Sequence, residues 1–225
     1  MELILALKKE EADDAVTFYF EYEDPLSWEA GQFLHYILPH TDEDSRGNDR
    51  YFTIASAPYE DEIMLTTRKG ESSFKKALFN MQEGDIIYVE EPAGSFVKED
   101  KKKKAIFIAG GIGITPFRSI LKQLDHDGAP IDVTLLYANS TDNFVYEEEL
   151  KRLEKKHDKL NIHWFVSPEK IDKEAIKKYV SEVDSVPFYV SGPEPMVEHY
   201  EKILPTIGVS EENIKKDYFP GYPWE

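Results

Sequence analysis

The sequence predicts a small antiparallel β-barrel followed by a parallel α/β sheet. Three observations carry that expectation. The first hundred residues hold short runs rich in β-branched and aromatic residues, VTFYFEYE, QFLHYIL, RYFTIAS, EIMLTTR and DIIYVEEP, separated by polar or glycine-bearing turns. The later residues instead alternate apolar runs with stretches of helical length. Between them lies KEDKKKK (98–104), charged and without apolar period. The boundary is placed there, giving units 1–100 and 101–225.

One helix is expected in the first unit. It runs from Ser73 to Met81 (SFKKALFNM) behind Ser72 or Ser73 as N-cap, and Gly84-Asp85 turns the chain into the next strand. Many short strands with one helix suit a small barrel. In the second unit AIFIAG reads as a strand buried on both faces. After it come helix TPFRSILKQLDHDG, strand IDVTLLYAN, helix YEEELKRLEKKHD, strand NIHWFVS, helix IDKEAIKKYVSEV, strand PFYVSG and helix PMVEHYEKILPTIG. Such alternation makes βαβ units and a parallel sheet.

Composition narrows the function. Of 225 residues, 41% are hydrophobic and 13% aromatic, which excludes wholesale disorder. No stretch approaches the ~18 uncharged apolar residues of a membrane helix. The opening MELILALKKEEADD turns acidic too soon for a secretory signal, so a cytoplasmic location is expected. There is no cysteine. Disulfides, a thiolate nucleophile, cysteine-ligated zinc and a cysteine-held iron–sulfur cluster are therefore excluded in this chain. Redox chemistry would need an organic cofactor or a partner. The net charge of −17 suits nucleic acid poorly, because that binding relies on Lys and Arg releasing counterions. The charge is uneven, with 9 basic and 23 acidic side chains in residues 1–100 and 18 and 21 in the rest. The six histidines show no metal spacing, and no Ser-His-Asp order with a nucleophile elbow occurs, so no metal site is expected.

Two glycine turns carry chemistry. Gly110-Gly111-Ile112-Gly113 follows a strand, and Thr115-Pro116 opens a helix, where proline's missing N–H costs nothing. Glycines admit a ligand to the backbone and a helix N-terminus favours negative charge, so this is a place to hold a dinucleotide pyrophosphate, although the spacing is not G-x-G-x-x-G. SGPEPMV (191–197), with Gly192, Pro193 and Met196, again joins a strand to a helix. In a doubly wound sheet such strand ends face the ligand crevice.

Five segments in order extend the pattern over nearly the whole chain: GQF (31–33, preceded by Ala30), RYFTIASAP (50–58), GGIGITP (110–116), SGPEPMV (191–197) and DYFPGY (217–222). Together they resemble the ferredoxin–NADP⁺ reductase superfamily of flavoprotein oxidoreductases. The resemblance implies a six-stranded antiparallel flavin barrel followed by a five-stranded parallel nucleotide-binding sheet with helices. It implies FAD, with FMN as the alternative, and hydride transfer from NADH or NADPH to flavin N5.

The resemblance also implies roles. Arg50 meets a flavin phosphate, its guanidinium fork matching two oxygens. Tyr51 lies within the same motif. Phe52 takes the family's Tyr position and keeps stacking without the hydroxyl. Thr53 takes the position whose hydroxyl approaches N5. Thr66, Thr67 and Arg68 match a second flavin-contact segment. Gly70, Ser72 and Ser73 match the pyrophosphate loop, and the same serines serve equally as N-caps. Gly110, Gly111, Gly113, Thr115 and Pro116 face the nicotinamide nucleotide, as do Asn139 and Ser167 at strand ends and Gly192, Pro193 and Met196. Ser191 replaces the family's Cys near nicotinamide C4. Asp217 stands where relatives carry a carboxylate. Phe219, with Tyr218, Tyr222 and Trp224, covers the flavin or anchors the C-terminal segment.

NADPH-using relatives commonly carry Arg after the Ser167 position. Here Pro168 and Glu169 follow, which favours NADH, with Lys170 as a possible substitute for the Arg. The expected acceptor is a separate electron-transfer protein, a small quinone or dye, or free flavin. A basic or neutral carrier suits the acidic surface. Two rival readings stay open: a flavin-binding electron-transfer subunit of a larger complex, and a nucleotide-binding scaffold without flavin.

Overall fold

The computed structural model describes residues 1–12, 14–101, 103–180 and 183–219. The first part of the chain forms β1 (Glu2–Ala12), β2 (Ala15–Glu21), β3 (Phe33–Ile37), β4 (Asp49–Thr53), β5 (Ile63–Arg68), α1 (Ser73–Asn80) and β6 (Ile86–Val89). The six strands pair antiparallel in the order β4-β3-β6-β1-β2-β5. β4 and β5, at the two ends of that order, touch, so the sheet curls back on itself. Its inside is apolar, with Phe18, Phe20, Leu34, Tyr36, Leu65 and Phe74 in one cluster. Strand β1 goes beyond the five strands read from sequence. Leu3 and Leu5 are buried, but the charged residues Lys8 to Glu11 hide the alternation, and pairing with β2 and β6 decides the matter.

The second part forms β7 (Ala105–Gly110), α2 (Thr115–His126), β8 (Val133–Asn139), α3 (Glu147–Lys156), β9 (Leu160–Val166), α4 (Lys173–Tyr179), β10 (Phe188–Pro193), α5 (Glu194–Ile203) and β11 (Ile214–Phe219). All five strands run parallel in the order β11-β10-β7-β8-β9. Burial on both faces is visible in β7. Ala105, Phe107 and Ala109 enter one apolar cluster, and Ile106 and Ile108 enter another. β11 is built from what reads in sequence as an aromatic tail. Its register, Ser191 opposite Asp217 and Pro193 opposite Phe219, fixes two expected site residues on an edge strand. Tyr222 and Trp224 lie outside the described residues. No described helix is long and apolar enough to cross a membrane.

The two sheets are joined by a charged buried centre. Arg118, on the buried face of α2, donates through Nη1 and Nη2 to Glu60 at 2.7 and 3.0 Å and through Nε and Nη2 to Glu149 at 3.0 and 3.1 Å. Its Nη1 also donates to the Ala55 carbonyl at 2.9 Å. Glu60 and Ala55 come from the barrel side, and Glu149 from α3. Burial opposes the guanidinium charge, but the Glu60 hydrogen bond and the nearby carboxylates hold it protonated, above its usual range. Beside it Tyr146 takes a left-handed conformation (φ 62°), which is strained for a bulky residue. Its hydroxyl bonds Thr66, which itself meets Thr17 at 2.7 Å. Removing one partner of a buried ion network leaves the others uncompensated. Arg118→Ala should therefore lower unfolding free energy by ~3–5 kcal/mol in a urea titration.

Candidate active site

Two regions collect the expected residues. The first lies where β4 meets the start of α1. Strand alternation puts Arg50 and Phe52 on one face and Tyr51 on the other. Phe52 packs against Tyr36 and Phe74, with ring centroids 5.8 and 5.9 Å away. The Arg50 guanidinium stands 5.5 Å from the Phe74 ring. Tyr51 is 61% exposed and stacks on His35 at 4.3 Å on the outer surface. It is not brought to the Arg50 face. Thr53 is buried at the end of β4. Ser72 caps α1 by accepting from Lys75 N–H at 3.2 Å. Close to Ser72, a Cβ on Gly70 would lie 2.9 Å from Lys75 Cδ, so a side chain there would displace the lysine arm.

The donors in this region suit an anion. Arg50 Nη1 donates to the carbonyls of Arg46 at 2.8 Å and Asp49. Its Nη2 is buried without a hydrogen-bond partner among the described residues. The first amide of α1, Ser73 N–H, is met by a carboxylate, Asp44 Oδ2, at 3.0 Å. That oxygen stands in for the anion that a helix N-terminus attracts. An unmatched guanidinium nitrogen next to an anion-bearing helix start fits a flavin phosphate.

The second region is a cleft of about 500 Å³ along the C-terminal ends of the parallel strands, lined by Gly110, Gly111, Asn139, Ser167, Pro193 and Met196 among others. The glycines are demanded by contact. A Cβ on Gly110 would lie 2.2 Å from Met196 Sδ, and one on Gly113 would lie 2.2 Å from the Ser191 carbonyl oxygen. Gly192 also packs under Met196. Gly111 (φ +52°) borders the cleft, where a Cβ would meet Arg68 and Asn139 at 3.7 and 3.8 Å. The backbone is thus bare where a dinucleotide would approach. Thr115 and Pro116 are buried, and the Thr115 hydroxyl donates to the Ile112 carbonyl at 3.2 Å.

Segment 66–68 lies at the junction of the sheets and at the cleft. Thr66 Oγ1 is engaged by Thr17 and Tyr146 at the junction of the sheets. Thr67 points to the opposite side and is also buried. Arg68 leaves the barrel and lines the cleft, where Nη2 donates to Asn139 Oδ1 at 2.9 Å and Nη1 pairs with Asp14. Asn139 in turn donates to the carbonyls of Thr141 and Asn143 at 3.0 and 3.1 Å, shaping the loop that leads to Tyr146. Asp14, Asp44, Arg118 and Tyr146 carry no motif and were not singled out from sequence. The first two sit among many acidic residues, and the last two read as ordinary helix residues.

Ser191 is fully buried, and its Oγ donates to Asp217 Oδ2 at 3.2 Å. Burial pushes the Asp217 carboxyl up to about 6, while the Ser191 hydrogen bond pulls it down. Phe219 is partly buried against the apolar cluster shared by the two sheets. Asp217 should titrate near pH 6 in carboxyl-detected NMR. Ser191→Ala should move that midpoint upward, because it removes the donor that favours the charged form.

Residues 107–202 match the family described as oxidoreductase NAD-binding domain. The ferredoxin reductase component of a 3-ketosteroid-9-alpha-monooxygenase from Mycobacterium tuberculosis is 28% identical over 97% of this chain and 65% of its own length. Flavohemoprotein A of Dictyostelium discoideum is 25% identical over 97% of this chain and 60% of its own. The chain thus spans less than two thirds of these relatives. Among solved structures, the flavohem-like FAD/NAD binding domain of nitric oxide dioxygenase from Vibrio cholerae superposes with TM-score 0.84, at 18% identity over 97% of this chain and 98% of that one. Ferredoxin–NADP⁺ reductase from Plasmodium falciparum gives 0.82, also at 18% identity, over 97% and 95%. At this identity the two structures establish a shared fold.

Proposed function

We propose that the chain is a member of the ferredoxin–NADP⁺ reductase-like superfamily, an FAD-dependent oxidoreductase that takes hydride from NAD(P)H and passes electrons to a separate acceptor; the oxidoreductase NAD-binding match over residues 107–202 and the similarity to a ferredoxin reductase component support this reading. The observation that carries this reading is the position of Arg68. A barrel residue lines the cleft of the parallel sheet and bonds Asn139 there, which supports a site to which both parts of the chain contribute. FAD, when bound, supplies the hydride-accepting centre. The chain itself contributes binding and orientation. We assign residues 1–100 to the flavin and 101–225 to the nicotinamide nucleotide.

Arg50 and the start of α1 hold the flavin phosphate, and Phe52, on the same face of β4 as Arg50, faces its ring system. Gly110 to Gly113 admit the nucleotide pyrophosphate, with Arg68 as its cationic clamp. Ser191 and Asp217 lie beside the strand end where the nicotinamide enters. Above about pH 6 the Asp217 carboxylate favours the positive charge that a nicotinamide gains on losing hydride. Glu169 and Lys170 both border the cleft past β9. The carboxylate suits a ribose diol and disfavours a 2′-phosphate, so NADH is the preferred donor.

The test is the visible spectrum of the purified protein before and after anaerobic NADH. Flavin bands that NADH bleaches are expected. A colourless protein that takes up no added FAD would overturn the enzyme, and bleaching by NADPH alone would overturn the donor. Arg68→Ala should raise the KM for NADH about tenfold or more, the loss of one charge-assisted contact, with the flavin content unchanged. Loss of flavin instead would return Arg68 to the flavin side.

A further inference from the structure

The loop between β3 and β4 places an acid where the proposed function places a phosphate. Ser73 N–H donates to Asp44 Oδ2 at 3.0 Å, and Asp44 N–H donates back to Ser73 Oγ at 2.9 Å. Arg46 turns onto the same carboxylate, its N–H reaching Oδ1 at 2.8 Å and its Nη2 reaching Oδ2 at 3.1 Å. Asp44 Oδ1 lies 3.7 Å from Arg50 Nη2, an ion-pair neighbour beyond hydrogen-bond reach. The backbone hydrogen bonds from Ser73 and Arg46 hold this carboxyl well below the usual carboxylate range. It is a carboxylate at every pH where the protein would work.

A carboxylate and a phosphate present similar oxygens and the same sign of charge. One Ser73 amide and one Arg50 guanidinium cannot serve both fully, and two anions held side by side repel. We propose that Asp44 is a built-in competitor for the flavin phosphate cradle. It sets the affinity for phosphorylated flavins and makes FAD or FMN exchangeable rather than permanently held. The loop that carries Asp44 is displaced when phosphate binds. This rests on the flavin reading given above. It adds a residue that tunes the affinity of that site, and it gives the acidic run DEDSR a role that a solvated surface loop would not have.

Asp44→Asn tests it, because Asn keeps the size and an acceptor oxygen for Ser73 N–H but loses the charge. Apoprotein is titrated with FAD, FMN and riboflavin, followed by quenching of flavin fluorescence. Affinity for FAD and FMN should rise roughly three- to tenfold, the scale of one charge at a partly exposed helix N-terminus. Affinity for riboflavin, which has no phosphate, should not change. FAD affinity that stays level or falls overturns the proposal, and so does an equal gain for riboflavin, which would show a loop effect without charge competition. Should the variant fold poorly, the wild type supplies a second measurement. Arg46 has a largely exposed side chain tied to Asp44. FAD, but not riboflavin, should speed tryptic cleavage after Arg46, and protection by FAD would overturn displacement. Failure of every flavin to bind either protein would remove the flavin reading and the proposal with it. Binding that is indifferent to Asp44 removes the proposal alone.

Discussion

Everything at the junction depends on one buried cation. Arg118 has its guanidinium shared between Glu60 and Ala55 on the barrel side and Glu149 on α3. A guanidinium in low dielectric is tolerable only while its donors are matched, so the three segments must keep one relative position. The same junction holds Tyr146 in a left-handed conformation, its hydroxyl on Thr66 and its ring 5.2 Å from the Arg118 guanidinium. Strain of this kind persists only where the surroundings over-determine it. Barrel and parallel sheet are thus fixed by matched polar groups as well as by the apolar cluster they share.

That fixed relation makes the cleft. β5 carries Thr66 and Arg68 on one face, so the strand that anchors Tyr146 also delivers Arg68 above Gly111. Asn139 connects the two by bonding Arg68 and by shaping the loop toward Tyr146. Close approach does the rest. Gly113 lets the turn lie against the Ser191 carbonyl, and Gly110 and Gly192 let Met196 pack between strand ends. The hydride-transfer reading draws its geometric support from this arrangement, and the affinity of the flavin side is the part left to the Asp44 loop.

Much of the fold was legible in the chain because it rests on local patterns. The continuous apolar run AIFIAG forecast β7 as a strand covered on both faces, β8, β9 and β10 appear where strands were read, and the helices appear between them, α4 and α5 ending short of the runs read for them. β1 and β11 were not legible as strands. Half of β1 is charged, and β11 mixes lysines and an aspartate with aromatics. Each becomes a strand because a partner offers unpaired backbone groups, a condition that no local window contains. The glycine turns of the candidate site were visible as motifs. Their neighbours were not, since Asp14, Asp44 and Tyr146 meet their partners 54, 29 and 80 residues away in the chain.

The sequence by itself determined most of the element types and their order, β1 and β11 excepted, and left the chain no cysteine for thiol chemistry. These follow from periodicity, turn residues and composition, which each segment carries alone. Only the tertiary structure decided which face each residue serves. It turned Tyr51 outward to His35, drew Thr66 into the junction and sent Arg68 into the cleft. Neighbours on a strand point to opposite sides, and what waits on each side is set by residues distant in sequence. Side-chain roles in β4 and β5 therefore emerge only once barrel and sheet have met.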